Sequence, residues 1–155
     1  MSDSNSIYGR IEEAGIVLSP PGIPVAAYVP FVESGKLLFL SGHIAKQKGQ
    51  PWVGQLGTDM DTETGIRAAR NIAIDVLGTL QAATGDLNRI ARIVKVLCLV
   101  NSGSQYREHH IVANGFSETL EHILGAPGKH ARSAFGVAQI PSGACVEVEL
   151  VAELR

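Results

Sequence analysis

The chain has 155 residues, 45% of them apolar and 18% charged, with a mean hydropathy of +0.15. That length suits one domain able to bury most of its apolar surface. Thirteen basic and fifteen acidic residues leave a formal charge of -2, which presents no field for nucleic acid or an anionic membrane, and no apolar run reaches the roughly 18 residues a bilayer span requires.

The opening Met1-Ser-Asp-Ser-Asn-Ser lacks the basic and apolar regions of a signal peptide, and Cys98 and Cys145 sit singly in apolar runs. The expectation is a cytoplasmic chain with two buried free thiols. Residues 1–24 read as an N-terminal arm. A short helix is expected within Ser4–Ile16, stopped by Leu18-Ser-Pro-Pro-Gly-Ile-Pro24, which no regular element tolerates. Residues 25–155 read as a single domain.

Val25–Val32 and Lys36–Gly42 are apolar, partly β-branched stretches around Glu33-Ser-Gly-Lys36, the pattern of a hairpin. A polar loop from Ala45 to Gly57 follows, in which Trp52-Val53 is expected to add a short strand. Capping residues at Thr58-Asp-Met-Asp61 precede a helix whose Ile66, Ala69, Ala73, Val76, Leu77 and Leu80 fall on one face, with Gly85 past its end. Ile90–Val100 is a strongly apolar strand. A second helix is expected over Arg107–Leu124, with Val112, Phe116, Leu120, Ile123 and Leu124 on one face. Arg132–Ala138 and Ala144–Val151 are the last strands and read as a hairpin through Gln139-Ile-Pro-Ser-Gly143.

The order β-β-α-β-α-β-β predicts an α+β fold, a mixed sheet with helices on one face. Strands such as Ile90–Val100, apolar on both sides, predict that another subunit covers the other face.

If the last two strands pair across Gln139 and Ala144, period-two alternation puts Arg132, Ala134 and Gly136 on one face with Cys145, Glu147 and Glu149. Phe135 and Val137 would then join Val146, Val148 and Leu150 on a core face. Two readings of Arg132 fit this pattern. One is an ion pair with a glutamate on an exposed sheet, and the other is a planar fork holding a ligand carboxylate above a floor of small residues. The five histidines form no metal-ligand spacing: His109 and His110 diverge on a helix, and neither Cys-x-x-Cys nor His-Glu-x-x-His occurs, so no metal or other cofactor is expected. His43, at a strand end after Ser41-Gly42, is the histidine positioned like a site residue, and a hydrogen-bonded structural histidine is the other reading of it.

Ala131-Arg132-Ser133, Val146-Glu147-Val148-Glu149, Tyr28-Val-Pro30, Leu38-Phe-Leu-Ser-Gly42 and Val112-Ala-Asn114 stand in an order and spacing that resembles the Rid family, also called YjgF and L-PSP endoribonuclease. The resemblance covers about residues 25–155. It implies a chorismate-mutase-like fold and a homotrimer with a barrel-like core and sites in clefts between subunits. The activity it implies is hydrolytic deamination of reactive enamines and imines, such as 2-aminoacrylate and 2-iminopropanoate, to 2-oxo acids and ammonia. By that resemblance Arg132 holds the substrate carboxylate and Glu147 positions the attacking water. Tyr28 and Asn114 line the cleft, and Gly42 and Ala134 supply backbone contacts.

The chain departs from the family pattern where archetypal members carry cysteine (here Ala134) and often glutamine (here His43). The arm and the Gly125-Ala-Pro-Gly-Lys-His130 segment resemble a subgroup with a long N-terminus and no assigned function. A trimer that binds a small carboxylate-bearing metabolite without turning it over is the alternative expectation. Endoribonuclease activity is the least supported, given the negative charge and the lack of a basic patch interleaved with aromatics.

Overall fold

The computed structural model describes residues 3–24 and 26–155. The arm carries a helix at Ile7–Glu13 (α1), capped by the Ser6 hydroxyl, which accepts from the Gly9 amide. The arm is welded to the rest: Ile11 and Ile16 are buried in the common core, Tyr8 donates to Gln81 Oε1 (2.7 Å) and accepts from the Leu87 amide (2.9 Å), and Arg10 donates to the Ile123 carbonyl (2.9 Å).

Phe31–Ser34 (β1) and Leu37–Ile44 (β2) form the first hairpin, turning at Gly35 with φ +60°. The first strand is shorter than its apolar run. Pro30 has no amide to give a ladder, and only its carbonyl is used, accepting from the Ser41 amide; the expected start at Val25 lies outside the described residues. Lys46–Gln47 (β3) and Gln50–Pro51 (β4) make a small ribbon, and the strand expected at Trp52-Val53 reduces to a bridge between Val53 and Ala144.

Thr62–Thr84 (α2) starts on the Asp61 carboxylate, which accepts from the Thr64 amide, and ends at Gly85. Ile90–Asn101 (β5), His109–Leu124 (α3), Ala131–Val137 (β6) and Val146–Leu154 (β7) complete the order. The result is the expected α+β architecture: a five-stranded mixed sheet, β1-β2-β7-β5-β6, with α2 and α3 packed on one face. No helix among the described residues is long and apolar enough to cross a membrane.

The last two strands do not form a hairpin. β5 lies between them, parallel to β6 and antiparallel to β7. The reason is connectivity: β5-α3-β6 is a crossover unit, which places parallel strands side by side and sends the chain onward past β5 to its free edge. Register then overturns the expected faces. Val148, Cys98 and Ala134 form one row across the sheet and Glu147, Leu99 and Phe135 the next. Arg132, Ala134 and Gly136 therefore face the helices, with Val146, Val148 and Leu150. Glu147 and Glu149 face the opposite way, with Phe135 and Val137.

That second face has no cover among the described residues. Phe39 is 44% exposed, Phe135 48% and Val32 53%, with Leu97, Leu99 and Val151 between them only half-buried. The helix face, by contrast, is closely packed. A β-carbon on Gly115 would lie 2.1 Å from the Ile66 carbonyl oxygen, so α3 crosses α2 at backbone contact. Gly115→Ala is expected to destabilise the chain by about 1–3 kcal/mol, the usual cost of overpacking, although alanine is the better helix former by about 1 kcal/mol. A lower urea midpoint at unchanged slope checks this.

Candidate functional site

Two polar clusters occupy the two sides of the sheet. On the helix side, Arg132 leaves β6 toward α3. Its Nη1 donates to Asn114 Oδ1 and Ser117 Oγ, each at 3.0 Å, and its Nη2 to the His110 carbonyl at 3.2 Å. Ser117 also contacts His130 Nε2 (2.8 Å), while His130 Nδ1 lies 2.7 Å from the Gly128 carbonyl, so the segment after α3 braces the same group. Asn114 and Ser117 are three residues apart and so share a helix face.

All three acceptors on Arg132 are neutral, and it makes no ion pair among the described residues. The guanidinium is oriented but keeps its full charge for an anion. Half-buried Ala134 follows on the same face of β6, adding no polar side chain. Beneath lies Cys98, whose thiol burial pushes up to about 12 against the opposing pull of Arg132, so it stays protonated.

On the open side, Glu147 stands opposite Leu99 on β5 and Ile44 on β2. A β-carbon on Gly42 would fall 2.1 Å from Glu147 Oε1, so only glycine lets the carboxylate lie over this backbone. Burial, and after it the charge of Glu149, raises the pKa of Glu147. No hydrogen bond to its carboxylate is formed among the described residues.

β2 is irregular at this point. Leu40 pairs with Leu150 but His43 with Val148, so one extra residue is taken up between them. Without it His43 would face Glu147; with it, the imidazole turns to the helix side. There His43 Nδ1 lies 2.8 Å from the Ser41 carbonyl and Nε2 lies 2.8 Å from Thr79 Oγ1. A carbonyl only accepts, so Nδ1 carries the proton and Nε2 takes the Thr79 hydroxyl. Burial lowers the pKa of the ring, which fits this neutral tautomer.

Of the residues singled out in sequence, Arg132, Asn114 and Ala134 form one cluster. Gly42 and Glu147 form a second, and Tyr28, Gly42 and His43 line a cavity beside it. Arg132 and Glu147 do not meet. Two strand spacings and three residues of β5 separate them, roughly 14 Å along the sheet, and their side chains leave by opposite faces. Sequence reasoning missed Ser117, although its place one turn from Asn114 was a usable signal. It also missed Asp75 and Thr79, a polar i, i+4 pair bordering the apolar face of α2.

Comparison with known proteins sets this arrangement in context. A Trypanosoma cruzi protein, TCP17, is 40% identical over 154 residues, covering 98% of this chain and 96% of its own. A crystal structure of a protein of unknown function from Agrobacterium tumefaciens, also 40% identical, superposes with a TM-score of 0.88 over 98% of this chain and 95% of that one. A candidate endoribonuclease from Shewanella oneidensis reaches 0.92 at 29% identity, covering 97% and 100%. Residues 21–154 match the family described as Endoribonuclease L-PSP, and the chain belongs to that family.

Proposed function

We propose that the protein is a hydrolytic deaminase of 2-imino acids and their enamine tautomers, and that each site is composed from two copies of the chain. The observation that carries this reading is the pairing of an un-neutralised, oriented guanidinium with a half-buried carboxylate of raised pKa on opposite faces of one sheet. A carboxylate anchor and a base are what the reaction requires, and a neighbouring copy supplies whichever half the first one aims away. The exposed apolar face around Phe39 and Phe135 offers the surface on which copies associate, and a trimer with these faces inward would bury it.

In the proposed reaction the substrate carboxylate docks on Arg132 of one copy, beside Asn114. A water held by Glu147 of the next copy adds through oxygen to the C2 of the protonated imine, and the C=N π electrons move to nitrogen. Glu147 takes the proton released by the water and returns it to the amino nitrogen of the carbinolamine. The C–N bond then breaks, ammonia leaves with the bonding pair, and the hydroxyl loses its proton as the 2-oxo acid forms. An electrophilic imine needs positioning and one proton relay, and a carboxylate whose pKa is raised toward neutrality serves both transfers.

A binding-only role is the second reading, favoured by Ala134, which presents a methyl group beside Arg132 where a polar side chain would assist. Ribonuclease action, the activity in the family's description, is the least supported reading for a chain of net charge -2.

In solution the protein is expected to scatter as a trimer of its 16.4 kDa chain, and a stable dilute monomer would contradict the shared site. Two variants then separate enzyme from binder. Arg132→Lys keeps a charge but loses the fork, so calorimetric affinity for a 2-oxo acid should fall by about 2–4 kcal/mol. Glu147→Gln should leave that affinity nearly intact and cut ammonia release from enzymatically generated 2-imino acids by roughly 10²–10⁴. In the wild type, the acid limb of the rate profile should lie above the ordinary carboxylate range, because Glu147 must be ionised to act as base. If Glu147→Gln loosens the oligomer and leaves the rate per intact site unchanged, the residue is structural and is not the base; no ammonia release from the wild type would leave the binding reading standing.

A further inference from the structure

A cavity of about 490 Å³ opens between the proline-rich arm, the end of β2 and the flank of α2, with Gly42 and Tyr28 on its border. That is within the range of pockets that hold drug-sized ligands, and far more than a three-carbon imino acid fills. Its outer wall is fixed. The Ser19 carbonyl rests on α2 where a β-carbon at Gly78 would lie 2.0 Å away, and Pro20, Pro21 and Pro24 restrict the backbone that follows. Those prolines have no N–H, so along them the wall offers no backbone donors.

Asp75 lines this cavity from α2. It is half-buried, and its carboxylate accepts no hydrogen bond and joins no ion pair among the described residues. His43, beside it in the cavity wall, is otherwise engaged, with one nitrogen on the Ser41 carbonyl and the other on Thr79. Lys46, also on the cavity border, is exposed and stands off Asp75 as a counter-charge without direct contact. A partly desolvated carboxylate without donors is costly unless a donor arrives. Its raised pKa, due first to burial, reflects the same deficit.

We infer that this cavity is the side-chain pocket of the site, and that it selects substrates whose side chain ends in a cationic nitrogen donor, an ammonium or guanidinium, received by Asp75. Calling it a side-chain pocket rests on the deaminase reading; the class of ligand rests on the cavity alone. The cation makes the direct contact with Asp75 that Lys46 does not, and the exposed lysine, a distant counter-charge, turns further to solvent. The 2-imino acids concerned are those formed by oxidation of basic amino acids.

The test is calorimetric titration of the full-length chain with 6-aminohexanoate and with hexanoate, which share a carboxylate and chain length and differ in the terminal ammonium. Wild type should bind 6-aminohexanoate at least about tenfold more tightly, in keeping with one charge-assisted contact. Asp75→Asn should bring the two affinities together. Lys46→Ala, on an exposed residue whose loss threatens no packing, should increase the preference several-fold by removing the competing cation. Equal affinities in wild type, binding of neither compound, or a preference that survives Asp75→Asn would each overturn the proposal. An intact ammonium preference with no ammonia release from imino acids would overturn the deaminase reading alone and leave the ligand class standing.

Discussion

The insertion of β5 between the last two strands decides what this molecule can do by itself. A parallel crossover brings β6 to the free edge of the sheet with Arg132 facing the helices, while β7, two strands inward, aims Glu147 out of the other face. The paired strands β6, β5 and β7 leave no passage between the two faces, so Arg132 and Glu147 of one chain are kept apart for as long as it stays folded. The polar network on α3 and the glycine beneath Glu147 then make sense as separate devices. One orients a cation without neutralising it, and the other lets a carboxylate lie on bare backbone.

The two halves differ in what they ask of the solvent. Around Arg132 every acceptor is neutral, which holds the fork in place and leaves its charge unspent. Around Glu147 burial and a like charge work against ionisation, the property that the proposed proton relay requires. The bulge in β2 adds a third element by rotating His43 away from Glu147 and into a network with Ser41 and Thr79 at the floor of the arm cavity. One extra residue thus divides Glu147 from the arm cavity.

Periodicity carried most of the fold. The apolar stripe from Ile66 to Leu80 and the cap at Asp61 mark α2 nearly to the residue, and the pattern over Val112–Leu124 marks α3 apart from its first turn. Strand partners were less legible. Alternation states which residues share a face within one strand and says nothing about which strand lies beside it, so Arg132–Ala138 and Ala144–Val151 looked like a hairpin because they are neighbours in sequence. A parallel pairing across α3 is a long-range choice, made by the packing of the crossover helix. The error carried over to the site: Arg132 and Glu147 were each singled out, but as partners on one face. Asp75 and Thr79 went unread because a polar pair at the edge of an amphipathic helix looks like solvated surface until the arm is seen to cover it.

If the site is shared between copies, two disabled chains can repair each other. Arg132→Ala and Glu147→Gln proteins, each strongly impaired in ammonia release alone, should regain it when unfolded together and reassembled. A mixed oligomer contains interfaces in which an intact Arg132 from one chain meets an intact Glu147 from the other. Ammonia release that rises with the mixing ratio and peaks near equal amounts is the predicted result. A mixture as inactive as its components, with mixed oligomers demonstrated by mass, would contradict the account.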